Sequence, residues 1–170
     1  MYNFYTLNPV HNTSTTSLNE LTLDVNEPLH NETFYKLFAD YYYDSNSEEK
    51  QDLLAAHINQ IDYLIAFTES DSYRDVNTLT HITIRNKDDL NLLISTTEDR
   101  EVYLPVFTDQ AELKRFTDES VFTLKVPAKW LWQFTLSQNN FTGIVFNPGS
   151  IGWDISLEHI QSLLDDINNN

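Results

Sequence analysis

The 170-residue chain contains no cysteine and only three glycines. The absence of cysteine excludes disulfide bonds, thiolate metal sites and cysteine nucleophiles. Basic residues are also scarce, since ten Lys and Arg face 26 Asp and Glu, for a formal net charge of −16 at pH 7. A chain this acidic is not expected to bind nucleic-acid phosphates or an anionic membrane. Its partners are expected to be neutral, cationic or proteinaceous.

Long hydrophobic runs are missing as well. No segment approaches the roughly 20 apolar residues that span a bilayer, and residues 1–20 lack the basic and apolar regions of a signal peptide. We therefore expect a soluble, cytoplasmic protein. Residues 1–30 are rich in Asn, Ser and Thr and predict a weakly structured N-terminal arm, with at most a short strand at Leu21 to Val25. Residues 31–170 are predicted to form a single domain.

Two amphipathic helices are predicted after this arm. The first follows Asn31, a residue favoured at helix N-caps, and places apolar side chains at positions i, i+3, i+4 and i+7. The second begins at Asn46 or Ser47, with two glutamates in the first turn, where the helix dipole favours negative charge. Because only a short polar turn separates them, the two helices are predicted to form a helical hairpin.

Short runs of β-branched and aromatic residues predict strands at 62–70, 80–85, 90–96, 101–108, 121–126 and 143–147. NKDD (86–89) and TTEDR (96–100) are interpreted as hairpin connections, and Pro105 predicts an edge strand or a bulge. Helices are predicted after Thr108 or Asp109, from Pro127, and after Ser156. The predicted fold is α/β in the mixed, α+β sense. It has one central sheet of about five or six strands, antiparallel in the middle of the chain, packed against the helical hairpin and three later helices.

Three segments carry a resemblance to a known family. They are REVYLPVFTDQAELKRF (100–116), VFTLKVPAKWLWQF (121–134) and TGIVFNPGSIGWDISLEHIQSLL (142–164). A strand ends in PVFT, an acidic helix start follows, and a later apolar strand ends in NPG before an amphipathic helix. This order resembles the N-terminal domain of the SseB family over roughly Glu48 to Ile167. The resemblance implies a soluble cytoplasmic α/β domain, often bacterial, with no established chemistry.

The three glycines fall in one stretch, at Gly143, Gly149 and Gly152, with Asn147 and Pro148 nearby. A loop between a strand and a helix can bind anions through backbone amides, but GxGxxG and GxxxxGK[ST] are both absent here. A structural turn is the alternative, with Pro148 fixing one φ and Gly149 taking positive φ in a type II turn. Gly152 would then allow the following tryptophan to fold back over the sheet edge. A third interpretation is a ligand or peptide surface.

That candidate surface comprises the loop and the three tryptophans, Asn147, Pro148, Gly149, Ser150, Gly152, Trp153, Trp130 and Trp132. Trp130 and Trp132 point about 200° apart on a helix, so one of them is expected at the surface, at an interface or beneath the N-terminal arm. Tyr41, Tyr42 and Tyr43 cannot all face inward either. Part of that cluster should be available to a partner.

Catalytic residues are not identified. Ser150 lacks the GxSxG context of a nucleophile elbow, and His159 is the nearest candidate base, although a surface histidine is the simpler interpretation. No cofactor or metal site is predicted. The leading hypothesis is a non-enzymatic binding or protein-interaction module. The alternatives are an acidic adaptor or inhibitor that captures a basic protein and, behind it, an enzyme of undetermined class. The partner, a protein or a small molecule, is unknown, and a homodimer stays open.

Overall fold

A computed structural model describes residues 21–24, 29, 31–67, 81–84, 92–118 and 121–169. It contains five helices, α1 Glu32–Tyr43, α2 Glu48–Ile58, α3 Gln110–Phe116, α4 Ala128–Ser137 and α5 Leu157–Asn169. The described strands are β1 Leu21–Asp24, β2 Asp62–Phe67, β3 His81–Ile84, β4 Ser95–Thr96, β5 Val102–Val106, β6 Phe122–Pro127, β7 Gly143–Phe146 and β8 Trp153–Ser156. The mixed α/β class is confirmed. None of the helices in these ranges is long and apolar enough to cross a membrane.

The helical hairpin is present at the predicted place. Ser47 caps α2, since its side chain accepts a hydrogen bond from the Lys50 N–H. Asn31 precedes α1 but makes no capping bond with its side chain. Its Nδ2 instead donates to the carbonyl of Thr108 at 2.7 Å and to that of Asp62 at 3.3 Å. The residue before α1 therefore ties the hairpin to the sheet.

The largest sheet among the described strands has four strands, in the order β4-β5-β7-β8. β5 and β7 are parallel, whereas β4–β5 and β7–β8 are antiparallel. β2 and β6 form an antiparallel pair that meets the end of β5, where Leu64 and Phe107 exchange two hydrogen bonds of 2.9 Å. β1 pairs with β3. The predicted single sheet of five or six strands is thus divided by the structure into a four-stranded sheet and two-stranded pairs.

Two local predictions about this sheet have different outcomes. The turn at 96–100 joins β4 to β5 as predicted, with Arg100 taking the positive φ of 65° for which no glycine is present. The prediction that Pro105 marks an edge or a bulge is wrong, because β5 is internal and Pro105 is in register with Val145. On the edge of β5 that faces away from β7, β4 pairs with Val102 and Tyr103 and β2 pairs with Phe107. Pro105 lies between these two pairings, so no ladder hydrogen bond is lost through its missing N–H. The NKDD connection lies outside the described residues.

Buried side chains lie on both faces of the β2–β6 pair. Along β2, Tyr63 and Ile65 join a large cluster with residues of α1, α2, α4 and α5, while Leu64 and Ala66 join a smaller cluster that includes Leu113 of α3. This alternation follows from the two-residue period of a strand. Burial on both faces explains why β2 is almost uninterruptedly apolar. The division into an arm (1–30) and a domain (31–170) stays a prediction, since residues 1–20 lie outside the described ranges.

Strand β8 was not predicted. The sequence indicated a turn around Gly152 followed by a helix after Ser156, whereas Trp153–Ser156 pairs with β7 and closes a hairpin around residues 147–152. The predicted cap is correct, because the Ser156 hydroxyl accepts a hydrogen bond from the His159 N–H at 3.4 Å. The hairpin places the glycine-containing loop at the end of β7 and Trp153 at the start of β8.

Candidate functional site

Two buried polar side chains meet where the parallel strands β5 and β7 end. Thr108 follows β5 closely and Asn147 directly follows β7, and both are fully buried. The Thr108 N–H donates to Asn147 Oδ1, and Asn147 Nδ2 donates to Thr108 Oγ1, each at 2.9 Å. The Asn147 carbonyl also accepts from the N–H groups of Ser150 and Gly152. We call this reciprocal pair, Thr108 and Asn147, the strand-end clamp.

A tyrosine from α1 extends the clamp. The Tyr35 hydroxyl lies 3.0 Å from Thr108 Oγ1 and donates to Asp109 Oδ2 at 2.8 Å. Burial raises the pKa of Tyr35; the hydrogen bond with Thr108 opposes this rise, and the carboxylates of Asp109 and Glu112 add to it. The hydroxyl is therefore a neutral hydrogen-bonding group here. Asp109 also caps α3 by accepting from the Glu112 N–H.

A second contact joins the loop to α3. Glu112 is fully buried, and its carboxylate accepts hydrogen bonds from the Ser150 hydroxyl and from the guanidinium of Arg115. A buried carboxylate needs such partners to offset the loss of hydration. Ser150 is therefore held by Glu112. The His159 ring bonds instead to Ser156, with 2.9 Å between Nδ1 and Oγ, so the structure does not pair Ser150 with His159.

The glycines serve close approach and backbone conformation. A Cβ at Gly149 would lie 2.8 Å from backbone atoms of Arg115 and Phe116, so only glycine lets the loop pack on the end of α3. The predicted type II turn with positive φ at Gly149 is wrong. Positive φ occurs at Asn147 (46°) and Gly152 (59°) instead. The clustered glycines thus form a structural corner whose polar groups bond to each other.

The three tryptophans differ in environment. Trp132 is fully buried, and its indole N–H donates to Asn59 Oδ1 at 2.8 Å. Trp130 is half-buried and stacked on Phe134, with 4.9 Å between ring centroids, and its Nε1 has no hydrogen-bond partner among the described residues. Trp153 is half-buried at the sheet edge. Whether any of them binds a partner stays a prediction, but Trp132 lies in the core and not at the surface.

Trp153 belongs to an aromatic series that leads from the core to the surface. Its ring stacks on the buried Phe146 at 5.2 Å and contacts Phe38 at 5.3 Å and Tyr41 at 6.0 Å. Tyr42 stacks on Phe38 one helical turn away, at 6.3 Å. The side chains of the series become exposed towards the end of α1. We call the outer members the tyrosine surface, comprising Phe38, Tyr41, Tyr42, Tyr43 and Trp153.

Tyr42 and Tyr43 are the exposed end of this surface, at 70% and 87% of their full accessibility. Their rings are nearly perpendicular, at 82°, with 5.9 Å between centroids. α1 has no Lys or Arg in its last turn, so none there offsets the negative end of the helix dipole. Asp44, just beyond, bonds to Lys50 at 3.0 Å. The sequence indicated that part of the tyrosine cluster would be exposed, but not which part.

The elements around the tyrosine surface are acidic. Residues 32–58 contain six Asp and Glu against two Lys, and residues 153–169 contain four Asp and Glu and neither Lys nor Arg. The last basic residue of the chain is Lys129. Among the acidic residues, Asp40, Asp44, Asp154 and Glu158 are exposed. The potential over α1, α2, β8 and α5 is therefore expected to be negative.

The comparison with known protein families agrees with this architecture. The sequence model of the SseB protein N-terminal domain matches residues 36–161, from the middle of α1 into α5. The chain belongs to the SseB family. No curated protein and no solved structure matches the chain. The resemblance noted from the PVFT and NPG segments is thus confirmed.

The two motifs that carried the SseB resemblance meet in the folded domain. PVFT supplies Thr108 and NPGS supplies Asn147, so the strand-end clamp joins the two motifs. The contact of Ser150 with Glu112 joins NPGS to α3. The sequence alone did not indicate that Tyr35 and Glu112 belong to this group of hydrogen-bonded residues. The contact of Tyr35 with Thr108 spans 73 residues and that of Glu112 with Ser150 spans 38, and no local signal indicates either contact.

Proposed function

We propose that this SseB-family domain is a non-enzymatic protein-interaction module and that the tyrosine surface is its contact site. The observation that carries the proposal is the exposure of Tyr42 and Tyr43, two adjacent aromatic side chains of which Tyr42 stacks on Phe38. Tyrosine is enriched at protein interfaces because it gives a large, rigid contact area with a polar tip. The module would present a preformed surface.

The polar groups at the strand ends also support the proposal, because they are hydrogen-bonded within the domain. The Ser150 hydroxyl is engaged by Glu112, and the ring of His159 by Ser156. The first contact is to a buried carboxylate that also binds Arg115, and the second belongs to the cap of α5, so both serve the local structure. The contacts at the corner act on folding, which leaves the tyrosine surface as the better candidate for recognition. The loop residues Asn147 to Gly152 support Trp153 by forming the hairpin that carries it.

Selection from a displayed random peptide library on the immobilised domain tests this proposal. We expect enriched peptides whose binding is lost in the double variant Tyr42→Ala/Tyr43→Ala. Leu53→Ala is the matched control, because Leu53 is a large hydrophobic residue of α2 that is 52% exposed. Enriched peptides that bind the double variant as well as the native domain would place recognition elsewhere and refute the proposal.

The second candidate function is an acidic adaptor or inhibitor that captures a basic protein through charge alone. The observation that favours it is the excess of acidic residues in α1, α2, β8 and α5. Raising the salt from about 0.15 M to 1 M shortens the Debye length from about 8 Å to about 3 Å and should abolish such binding. A contact that buries aromatic rings should weaken only in part, because salt screens close, partly buried contacts less than long-range charge attraction. Salt dependence of the selected peptides therefore separates the two candidates.

A further inference from the structure

The geometry points to a basic protein segment as the occupant of the tyrosine surface, with one arginine or lysine side chain in the corner between the rings of Tyr42 and Tyr43. This inference rests on the proposed interaction module and names the chemistry of its partner. The corner has two aromatic walls, since the rings are 82° apart with their centroids at 5.9 Å. Ring faces attract cations because their quadrupole is negative above the plane.

The surroundings of the corner favour a cation over a neutral or anionic group. Both tyrosines belong to the last turn of α1, where the carbonyl groups carry the negative end of the helix dipole and which itself contains no Lys or Arg. The exposed carboxylate of Asp40 comes before them in the chain, whereas that of Asp44, just after them, is paired with Lys50. A cation in the corner would thus gain from the π faces and the dipole together, on a surface whose elements are acidic.

Charge also selects the kind of partner. A second copy of the chain would bring another net charge of −16, and the same acidic elements, against this surface. Like charges brought together oppose association, whereas a basic segment is attracted and steered towards it. Phe38, Tyr41 and Trp153 continue the surface away from the corner, where they offer apolar area to residues that flank the cation. The occupant is therefore a basic segment of another protein.

The test uses a short peptide of alternating arginine and serine, with citrulline in place of arginine as the neutral control. Binding is measured by calorimetry. The indole N–H signal of Trp153 and the backbone N–H signals of Tyr42 and Tyr43 are followed by NMR. We expect Tyr42→Ala/Tyr43→Ala to weaken the arginine peptide about tenfold, from two ring contributions. Tyr42→Phe/Tyr43→Phe keeps both π faces and should stay within about twofold. Leu53→Ala should leave the affinity unchanged.

Three results would overturn the inference. The arginine peptide does not bind; it binds the double alanine variant as tightly as the native domain; or the citrulline peptide binds equally well. The last result, combined with loss of binding in the alanine variant, would reject the cation and leave the interaction module standing. Because both tyrosines are exposed, the variants should keep the native melting temperature. Measuring that temperature for each variant checks that the binding comparisons are made on folded protein.

Discussion

Replacement of Asn147 should destabilise the domain through two separable effects. In Asn147→Ala the Thr108 N–H loses its acceptor inside the core, and an unsatisfied buried donor costs about 1–3 kcal/mol. The backbone at this residue has φ of 46°, a region that costs an alanine about 1–2 kcal/mol more and that Asn tolerates. The sum is about 2–5 kcal/mol, against a total stability of about 5–15 kcal/mol for typical domains. Asn147→Gly removes the same side chain but accepts positive φ, so it should be more stable than the alanine variant by about 1 kcal/mol.

Urea unfolding followed by circular dichroism measures both differences, provided that the denaturant slope is the same in each variant. Thr108→Val serves as the comparison, because it keeps the N–H and removes only the hydroxyl that meets Asn147 and Tyr35. If Asn147→Ala lost less than about 0.5 kcal/mol, the clamp would be energetically unimportant, contrary to the cost of an orphaned donor. If the glycine variant were no more stable than the alanine variant, the backbone argument would fail.

Three further predictions concern other contacts. Gly149→Ala should lower the free energy of unfolding by about 1–3 kcal/mol in urea, because the added Cβ would lie 2.8 Å from backbone atoms. The loss should exceed that of Gly152→Ala, where a Cβ meets open space and only the positive φ opposes it. Equal losses would contradict this. Trp132→Phe should cost about 1–3 kcal/mol in the same assay by leaving the Asn59 oxygen without its indole donor, and a neutral effect would refute it. Burial lowers the pKa of His57 below 6.5 in the folded state. As pH falls, the imidazole is therefore protonated first in the unfolded state, which lowers the free energy of unfolding. The melting temperature should therefore fall below about pH 6.5, less steeply in His57→Gln, and identical profiles would exclude this histidine.

Much of the fold could be predicted from the sequence because its signals are local. The stripe from Phe34 to Tyr41 and the cap at Ser47 each lie within one or two helical turns, and the structure contains both helices. The apolar run of β7 is likewise continuous. These elements depend on residue periodicity and on capping chemistry, which a single sequence displays.

What was missed depends on strand pairing and side-chain contacts that no local sequence motif indicates. β8 has only four residues after a glycine, and pairing with β7 makes it a strand. Glu112 looks like a solvent-facing residue of a short helix, yet Ser150, 38 residues later, and Arg115 bury its carboxylate. Pro105 suggested an edge, because the sequence does not show that pairing passes from β4 to β2 around it.

The rare residues and the exposed residues of this domain have different roles. The few glycines lie where the backbone requires them. Gly149 allows close packing and Gly152 takes a positive φ, and both belong to the corner that closes the β7–β8 hairpin. The hairpin in turn sets Trp153 against Phe38 and Tyr41, which supports the end of α1 where Tyr42 and Tyr43 are exposed. A change at the corner should therefore reach the tyrosine surface through Trp153. Variants of Tyr42 and Tyr43, whose rings lie outside the core, therefore test binding without the folding defect that a change at the corner would bring.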